Sequence, residues 1–135
     1  MVDIQHIRET FANDKFATDC LGAVVDSVDG DEAVVSFEIG PQHLNAFGGL
    51  MGGTVFTLAD FAFAVATNHK GNVVVSVAAS IQHIGAVKGT RVIAHAVPEK
   101  IGKSLCFYTV NVTDDLGNLI AKASFTGKRV SATIS

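Results

Sequence analysis

Charge is scarce in this sequence. Charged side chains make up 17% of its 135 residues, hydrophobic side chains make up 48%, and the formal net charge is −3. A chain with so little basic excess lacks the electrostatic footprint of a nucleic-acid-binding protein, so we expect no nucleic-acid partner. The apolar excess at this length is typical of one globular domain, here residues 1–135, with surface buried against another subunit.

Cysteines and long apolar runs are scarce as well. Cys20 and Cys106 match no metal or redox spacing, and we interpret both as reduced packing residues. The chain does not start with a basic stretch followed by an apolar one, so we expect no secretory signal and a cytoplasmic protein. The longest apolar run contains a carboxylate and several threonines, which predicts that no segment spans a membrane.

The first half of the chain predicts helices on either side of a strand pair. Apolar residues at helical spacing after Asp3 indicate a short N-terminal helix capped by that side chain. Apolar residues at every second position over about 32–39 indicate a strand with one buried face. This strand is expected to pair with a weaker strand over about 21–28. A nearly all-apolar segment from about Gly52 to Asn68 has the length of a helix buried on most sides.

The second half predicts four consecutive antiparallel strands, because the turns between the last three are short enough for hairpins. The first of these strands places Val73, Val75, Val77, Ala79 and Ile81 on one face. The others cover about 91–98, 104–114 and 119–130. Together with the long helix they make an α+β layout, in which one sheet wrapped around one apolar helix fits better than a sandwich.

Asp60 is the one charged side chain between Glu38 and Lys70, and it lies within the apolar helical segment. A carboxylate in such surroundings is costly unless it is hydrogen-bonded, paired or protonated. We therefore expect Asp60 to be buried and to serve chemistry rather than architecture. The alternative is a structural acid satisfied by neighbouring backbone or hydroxyl groups.

A glycine-rich segment, Asn-Ala-Phe-Gly-Gly-Leu-Met-Gly-Gly over 45–53, precedes that helix. It places bare backbone at a helix start, where free N–H groups face an electron-rich ligand. An amide, an acid and a glycine turn close in sequence suggest attack on a carbonyl. The alternatives are close helix–helix packing at a dimer interface for Gly52 and Gly53, and a turn cap for Asn45.

The pattern Asn-x-x-Gly-x-x-Met-Gly-Gly over 45–53, followed by Asp60, resembles the signature of acyl-CoA thioesterases of the phenylacetate-pathway type. These enzymes belong to the 4-hydroxybenzoyl-CoA thioesterase-like hotdog superfamily. Segments 76–82, 102–105 and 117–121 resemble the family too, so the likeness covers nearly the whole chain. The resemblance implies a hotdog fold and hydrolysis of acyl-CoA or aryl-CoA thioesters, with no cofactor or metal.

The resemblance also implies roles for individual residues. Asp60 would act as general base or nucleophile, the Gly52 N–H would polarise the thioester carbonyl, and Asn45 would help hold the carbonyl or the attacking water. In the family two such helices usually meet across a dimer. Each site would then combine Gly52 and Asn45 of one subunit with Asp60 of the other, in a homodimer or a dimer of dimers.

The sequence departs from the family pattern at two positions. Met51 stands at the family's histidine, so it either packs or lines the acyl pocket. Gly85 stands where some members carry a serine near the acid, and His83 is a candidate for that polar contact. With Gly53, these residues complete the predicted substrate-binding set.

Two other functions bear on the same residues. Loss of the family's histidine leaves open a hotdog protein that binds acyl-CoA or another apolar ligand without hydrolysing it. A lyase that hydrates or dehydrates acyl thioesters is disfavoured, because no histidine accompanies Asp60 on its helix.

Overall fold

The computed structural model describes residues 2–130, and its elements follow the predicted order. Helix α1 covers Ile4–Phe11 and helix α2 covers Gly52–Asn68. A single π-helical turn at Phe16–Cys20 and a 3₁₀ turn at Pro41–His43 lie between them. The strands are β1 Val24–Asp29, β2 Glu32–Glu38, β3 Val74–His83, β4 Arg91–Ile101, β5 Leu105–Asp114 and β6 Leu119–Arg129.

The six strands form one antiparallel sheet in the order β1-β2-β4-β5-β6-β3. Helix α2 contacts all six strands, so the sheet wraps around it. This arrangement confirms the α+β hotdog layout. None of the helices within residues 2–130 is both long and apolar enough to cross a membrane.

The core lies between α2 and the sheet. Phe63 of the helix stacks on Phe125 of β6, with ring centroids 5.0 Å apart, and meets the Tyr108 ring edge-on at 5.4 Å. Burying a side chain of this size stabilises the fold by about 1.5–3 kcal/mol. The sheet covers only part of the helix circumference, and an uncovered stripe remains at helical spacing: Gly53, Thr57, Asp60 and Ala64.

Asp60 is therefore exposed in the single chain, and the expectation that it is buried was wrong. Because the helix is apolar nearly all round, its sequence pattern does not indicate which side the sheet leaves uncovered. An apolar helix with one uncovered stripe is typical of a surface that meets another element or another subunit.

Strand β3 forms an edge of the sheet, and its predicted single face is interrupted. Val77 bulges out of the pairing with β6, and at a bulge the alternation of faces shifts by one residue. As a result Val74 and Ile81 pack against the core, whereas Val75 and Val77 are 42% and 55% exposed. The expectation that residues 73–81 show one continuous alternation was wrong.

The other predicted bounds differ from the structure by a few residues. Asp3 caps α1 as predicted, its carboxylate accepting from the N–H of His6 at 3.1 Å. Strand β1 begins only at Val24, because the π-helical turn continues to Cys20. Strand β4 continues past a register shift near Pro98 to Ile101.

Candidate active site

Helix α2 begins at Gly52, as predicted. Met51 is its N-cap residue, with extended backbone and no side-chain cap. The first N–H groups of a helix have no intrahelical acceptor. No turn or loop hydrogen bond within residues 2–130 uses the N–H groups of Gly52 and Gly53. They are therefore available as fixed donors, as an oxyanion-binding backbone requires.

A buried histidine holds the chain just before this helix start. The N–H of Gly40 donates to His43 Nδ1 at 2.9 Å, and His43 Nε2 donates to the Leu21 carbonyl at 2.8 Å. Its own carbonyl accepts from the Met51 N–H at 2.8 Å. His43 is thus a structural histidine, with both ring nitrogens used inside the fold.

Asn45 shapes the glycine turn. Its Oδ1 accepts from the N–H groups of Phe47 and Gly49, at 2.9 and 3.1 Å, and Gly48 has a φ of +83° that favours glycine. The Asn45 amide oxygen therefore caps the turn, as the alternative interpretation of this residue predicted. Its Nδ2 donates to no acceptor within residues 2–130 and is free to contact a ligand.

Strand β3 brings His83 to the helix start. His83 pairs with Ala121 of β6, and its ring lies against Gly52. A Cβ added at Gly52 would stand 3.1 Å from His83 Cε1 and 3.2 Å from Nε2. A side chain at position 52 would therefore push the imidazole away, and glycine is what allows this contact.

Gly85 continues the same end of β3. The N–H groups of Ile84 and Gly85 both donate to the Ile120 carbonyl, at 2.8 and 3.1 Å. A Cβ at Gly85 would come within 2.5 Å of the Leu119 carbonyl oxygen, so close backbone approach accounts for this glycine.

These residues share one cavity of about 480 Å³, named here the helix-start cavity. It contains Gly52, His83 and Gly85 of the predicted site. Its other walls are mostly apolar or glycine, and they include Ile39, Leu50, Val55, Val87 and Ile120.

Asp60 lies about 12 Å further along the helix axis than Gly52, at 1.5 Å per residue. It faces the Asp60 groove, a cavity of about 290 Å³ between α2 and the π-helical turn, whose other walls include Asp14, Lys15, Phe16 and Thr57. Within residues 2–130 its carboxylate takes part in no ion pair or side-chain hydrogen bond. Although the Asp60 side chain reaches solvent, the walls of the groove partly desolvate its carboxylate and so raise its pKa, and the Asp14 carboxylate raises it further.

Met51 and Gly53 face a third space, the Met51 cavity, of about 360 Å³. Its walls are largely apolar and include Phe16, Leu21 and Thr57. Phe16 and Thr57 also line the Asp60 groove, so the two spaces adjoin.

The structure therefore divides the predicted residues into two groups along α2. Gly52, His83 and Gly85 lie at the helix-start cavity. Met51, Gly53 and Asp60 lie along the spaces beside the π-helical turn. No three His, Cys, Asp or Glu side chains come together as metal ligands in the described part of the chain.

Sequence reasoning missed the residues that shape the Asp60 groove from the other side. Asp14 and Phe16 follow α1, where the sequence showed only a helix ending. A π-helical turn has no local signature comparable to a cap or a glycine turn. The only available signal was an unexplained apolar residue, Phe16, beside charged neighbours; its side chain is 68% exposed.

Comparison with known proteins places this chain in a family. Residues 47–121 match the Thioesterase superfamily. Acyl-coenzyme A thioesterase PaaI of Escherichia coli is 30% identical over 132 residues, which cover 97% of this chain and 94% of that protein. A putative esterase of Archaeoglobus fulgidus is 34% identical over 100 residues, which cover 73% of this chain and 65% of that protein.

A solved structure agrees with these matches. The structure of the E. coli PaaI protein from the phenylacetic acid degradation operon superposes with a TM-score of 0.83 at 26% identity. The alignment covers 98% of this chain and 100% of that one. The chain therefore belongs to the thioesterase superfamily, as a PaaI-like member with the hotdog fold.

Proposed function

We propose that this protein hydrolyses acyl-CoA or aryl-CoA thioesters to the free acid and coenzyme A. The observation that carries the proposal is that helix α2 presents two groups left unpartnered in the described part of the chain. One is an Asp60 carboxylate without a protein partner in residues 2–130, and the other is the unused N–H of Gly52. The name of the E. coli relative, an acyl-coenzyme A thioesterase, supports the substrate class.

Asp60 activates the nucleophile in this mechanism. A carboxylate with a raised pKa is a stronger base than a hydrated one, so it can take a proton from water as the water oxygen bonds to the thioester carbon. In the nucleophilic variant the carboxylate oxygen forms that bond itself, and water later hydrolyses the anhydride. In both cases the carbon–sulfur bond breaks and coenzyme A leaves as the thiol or thiolate.

Gly52 stabilises the negative charge that develops on the carbonyl oxygen. Its N–H is fixed by the helix and needs no rearrangement during the reaction. Asn45 Nδ2, at the turn before the helix, holds the carbonyl or the attacking water. The acyl or aryl group occupies the Met51 cavity, because that apolar space adjoins the Asp60 groove.

Each such site takes residues from two subunits. A reacting carbon lies about 3 Å from both its nucleophile and its oxyanion donors. Gly52 and Asp60 of one chain are about 12 Å apart along the helix axis and cannot both meet one carbonyl. We therefore pair Gly52 and Asn45 of one subunit with Asp60 of the other, in a homodimer that can assemble further into a dimer of dimers.

The exposed edge of β3 supports this assembly, because unpaired apolar strand edges are templates for pairing with another chain. Sedimentation of the parent protein at micromolar concentration should give a dimer or tetramer. Val77→Lys should yield monomer and lose activity, whereas Val24→Lys, on the opposite edge strand and 45% exposed, should change neither. A parent protein that is fully active as a monomer would overturn the shared site.

The activity itself is tested with purified protein and short, medium, long and aryl CoA thioesters, by detection of the free thiol. We expect thiol release from at least one substrate and its loss in Asp60→Asn. Tight binding of the thioesters without release by the parent protein would overturn hydrolysis and support the binding-protein alternative.

A further inference from the structure

His83 differs from the other well-placed histidines of this chain in having a free ring. His43 and His69 bond to the carbonyls of Leu21 and Gly30 through Nε2, at 2.8 and 2.7 Å. His95 Nε2 lies 2.7 Å from a Glu32 carboxylate oxygen. The His83 ring has no hydrogen-bond partner within residues 2–130, and it reaches solvent through the helix-start cavity.

The backbone of His83 is held by the sheet rather than by a loop. His83 is the last residue of β3 and pairs in register with Ala121. The next two residues are held by the bonds from Ile84 and Gly85 to the Ile120 carbonyl. A side chain held by a strand is positioned more accurately than one on a free loop, as a catalytic donor requires.

The ring also lies where a donor is needed. Its Nε2 is 3.2 Å from the point where a Cβ of Gly52 would stand, so it adjoins the backbone that carries the free N–H. A carbonyl oxygen bound by that N–H lies about 2.9 Å from the nitrogen. An oxygen held there would lie beside the same stretch of backbone as the imidazole.

No other side chain that lines this cavity in the described part of the chain offers a hydrogen-bond donor. His83 is the one polar side chain among the residues that line the helix-start cavity. The Met51 side chain turns the other way, and a Cβ at Gly53 would lie 3.5 Å from its Cε. Asn45 uses its oxygen within its own turn.

We infer that His83 donates an imidazole N–H to the thioester carbonyl, so that its ring joins the Gly52 N–H as a donor to the oxyanion. The inference rests on the proposed hydrolysis and deepens it by assigning a second donor from a different element. Neutral imidazole carries one N–H and suffices for this role, which involves no proton transfer.

The test compares three variants with the parent protein on its best thioester substrate. His83→Phe keeps a planar ring but removes the N–H, His83→Gln keeps an N–H donor, and His6→Phe is the control on exposed α1. Loss of one oxyanion donor lowers kcat by about 10²–10³-fold with little change in KM. We expect His83→Phe to show such a loss, His83→Gln to retain part of the rate, and His6→Phe to match the parent.

The outcomes separate this inference from the proposed function. Parent-like kcat in His83→Phe, with Asp60→Asn inactive, would overturn the role of His83 and leave hydrolysis standing. Equal losses in the Phe and Gln variants would also overturn it, because shape rather than the N–H would then matter. If His83→Phe does not fold, His83→Leu replaces it, with the dimer and the melting temperature checked first. Absence of thiol release from the parent protein would overturn the proposed function itself.

Discussion

Two aspartates of this chain, Asp60 and Asp114, have opposite surroundings. Asp60 is exposed on α2, and within residues 2–130 its carboxylate makes no side-chain hydrogen bond or ion pair. Asp114, at the end of β5, is 2% exposed. Its carboxylate accepts hydrogen bonds from the backbone N–H groups of Lys88, Gly89, Leu116 and Asn118 and from the Asn118 amide.

The pKa values of the two carboxyls shift in opposite directions. Burial alone would raise the pKa of Asp114, but the Asn118 amide and the backbone donors outweigh it and hold the pKa well below its usual range. Partial desolvation by the walls of its groove raises the pKa of Asp60, with a further contribution from Asp14. Hydrogen bonds to the charged form of the carboxyl therefore decide whether its pKa is lowered or raised.

The hydrogen bonds of the two aspartates distinguish the acid that is available for chemistry from the one that is not. Asp114 is an architectural acid, since it fastens the segment around Lys88 and Gly89 to the turn between β5 and β6. That segment forms a wall of the helix-start cavity. The Asp60 carboxylate faces a groove and accepts no side-chain hydrogen bond within residues 2–130. Its raised pKa favours the uptake of a proton.

Replacement of Asp60 should have the largest effect on catalysis and almost none on folding. Asp60→Asn keeps the shape and removes the base, so kcat should fall by about 10²–10⁴-fold. The raised pKa means that the folded state disfavours the charged form, so deprotonation above the ordinary pKa of 3.8 lowers stability. The variant should melt at the parent temperature or slightly above it at pH 7. A parent-like rate of thiol release would refute the assignment.

Replacement of Asp114 should give the reverse result. In Asp114→Asn an NH₂ group takes the place of an accepting oxygen and faces N–H donors, so the melting temperature should fall by roughly 5–10 °C. The rate per folded molecule should fall far less than in Asp60→Asn, because Asp114 holds a cavity wall but does not touch the substrate in the proposed mechanism. A large loss of rate at full stability would remove the distinction between the two acids.

The same variant should change the pH dependence of stability. A lowered pKa in the folded state stabilises the protein above the ordinary pKa of 3.8, and this contribution is lost as pH falls through the lower folded value. Melting temperatures of the parent should therefore fall on acidification below about pH 4, and those of Asp114→Asn should fall less. Identical slopes would contradict the role of Asp114.

The fold was predictable where local pattern and tertiary burial agree. Alternation over β2 and the apolar run of α2 gave their bounds almost to the residue. Strand β3 was misread because the bulge at Val77 reverses the faces, and a bulge depends on its pairing partner. The exposure of Asp60 was also missed, since the sequence does not reveal which side of an apolar helix the sheet leaves open.

The site was predictable in its backbone and less so in its side chains. Gly52 at the helix start follows from glycines that precede an apolar run. The contact between His83 and Gly52 depends on the register of β3 against β6, a long-range pairing with no local signature. Likewise Asp114 and Asp60 cannot be ranked from sequence, because the donors to Asp114 come partly from residues about 25 positions earlier.

The smallest expected effect concerns Asp14, which faces Asp60 across its groove. Desolvation by the groove walls is the main cause of the raised Asp60 pKa and Asp14 is the second, so Asp14→Asn should lower that pKa without restoring its ordinary value. Hydrolysis needs the deprotonated carboxylate, so the acidic limb of the kcat/KM profile should move to lower pH. Above that limb a less basic Asp60 should work slightly more slowly, within about threefold. Lys15 also lines the groove.

The matched control is Asp19→Asn, because Asp19 is an exposed carboxylate of the adjoining π-helical turn, lies 4.0 Å from Lys15 and does not line the Asp60 groove. It should leave the acidic limb in place, which separates a specific effect of Asp14 from a general loss of negative charge. A limb that stays fixed in Asp14→Asn, or moves to higher pH, would mean that Asp60 does not titrate next to Asp14. The catalytic base would then be another group. The difference in hydrogen bonding between Asp60 and Asp114 would no longer identify the catalytic aspartate.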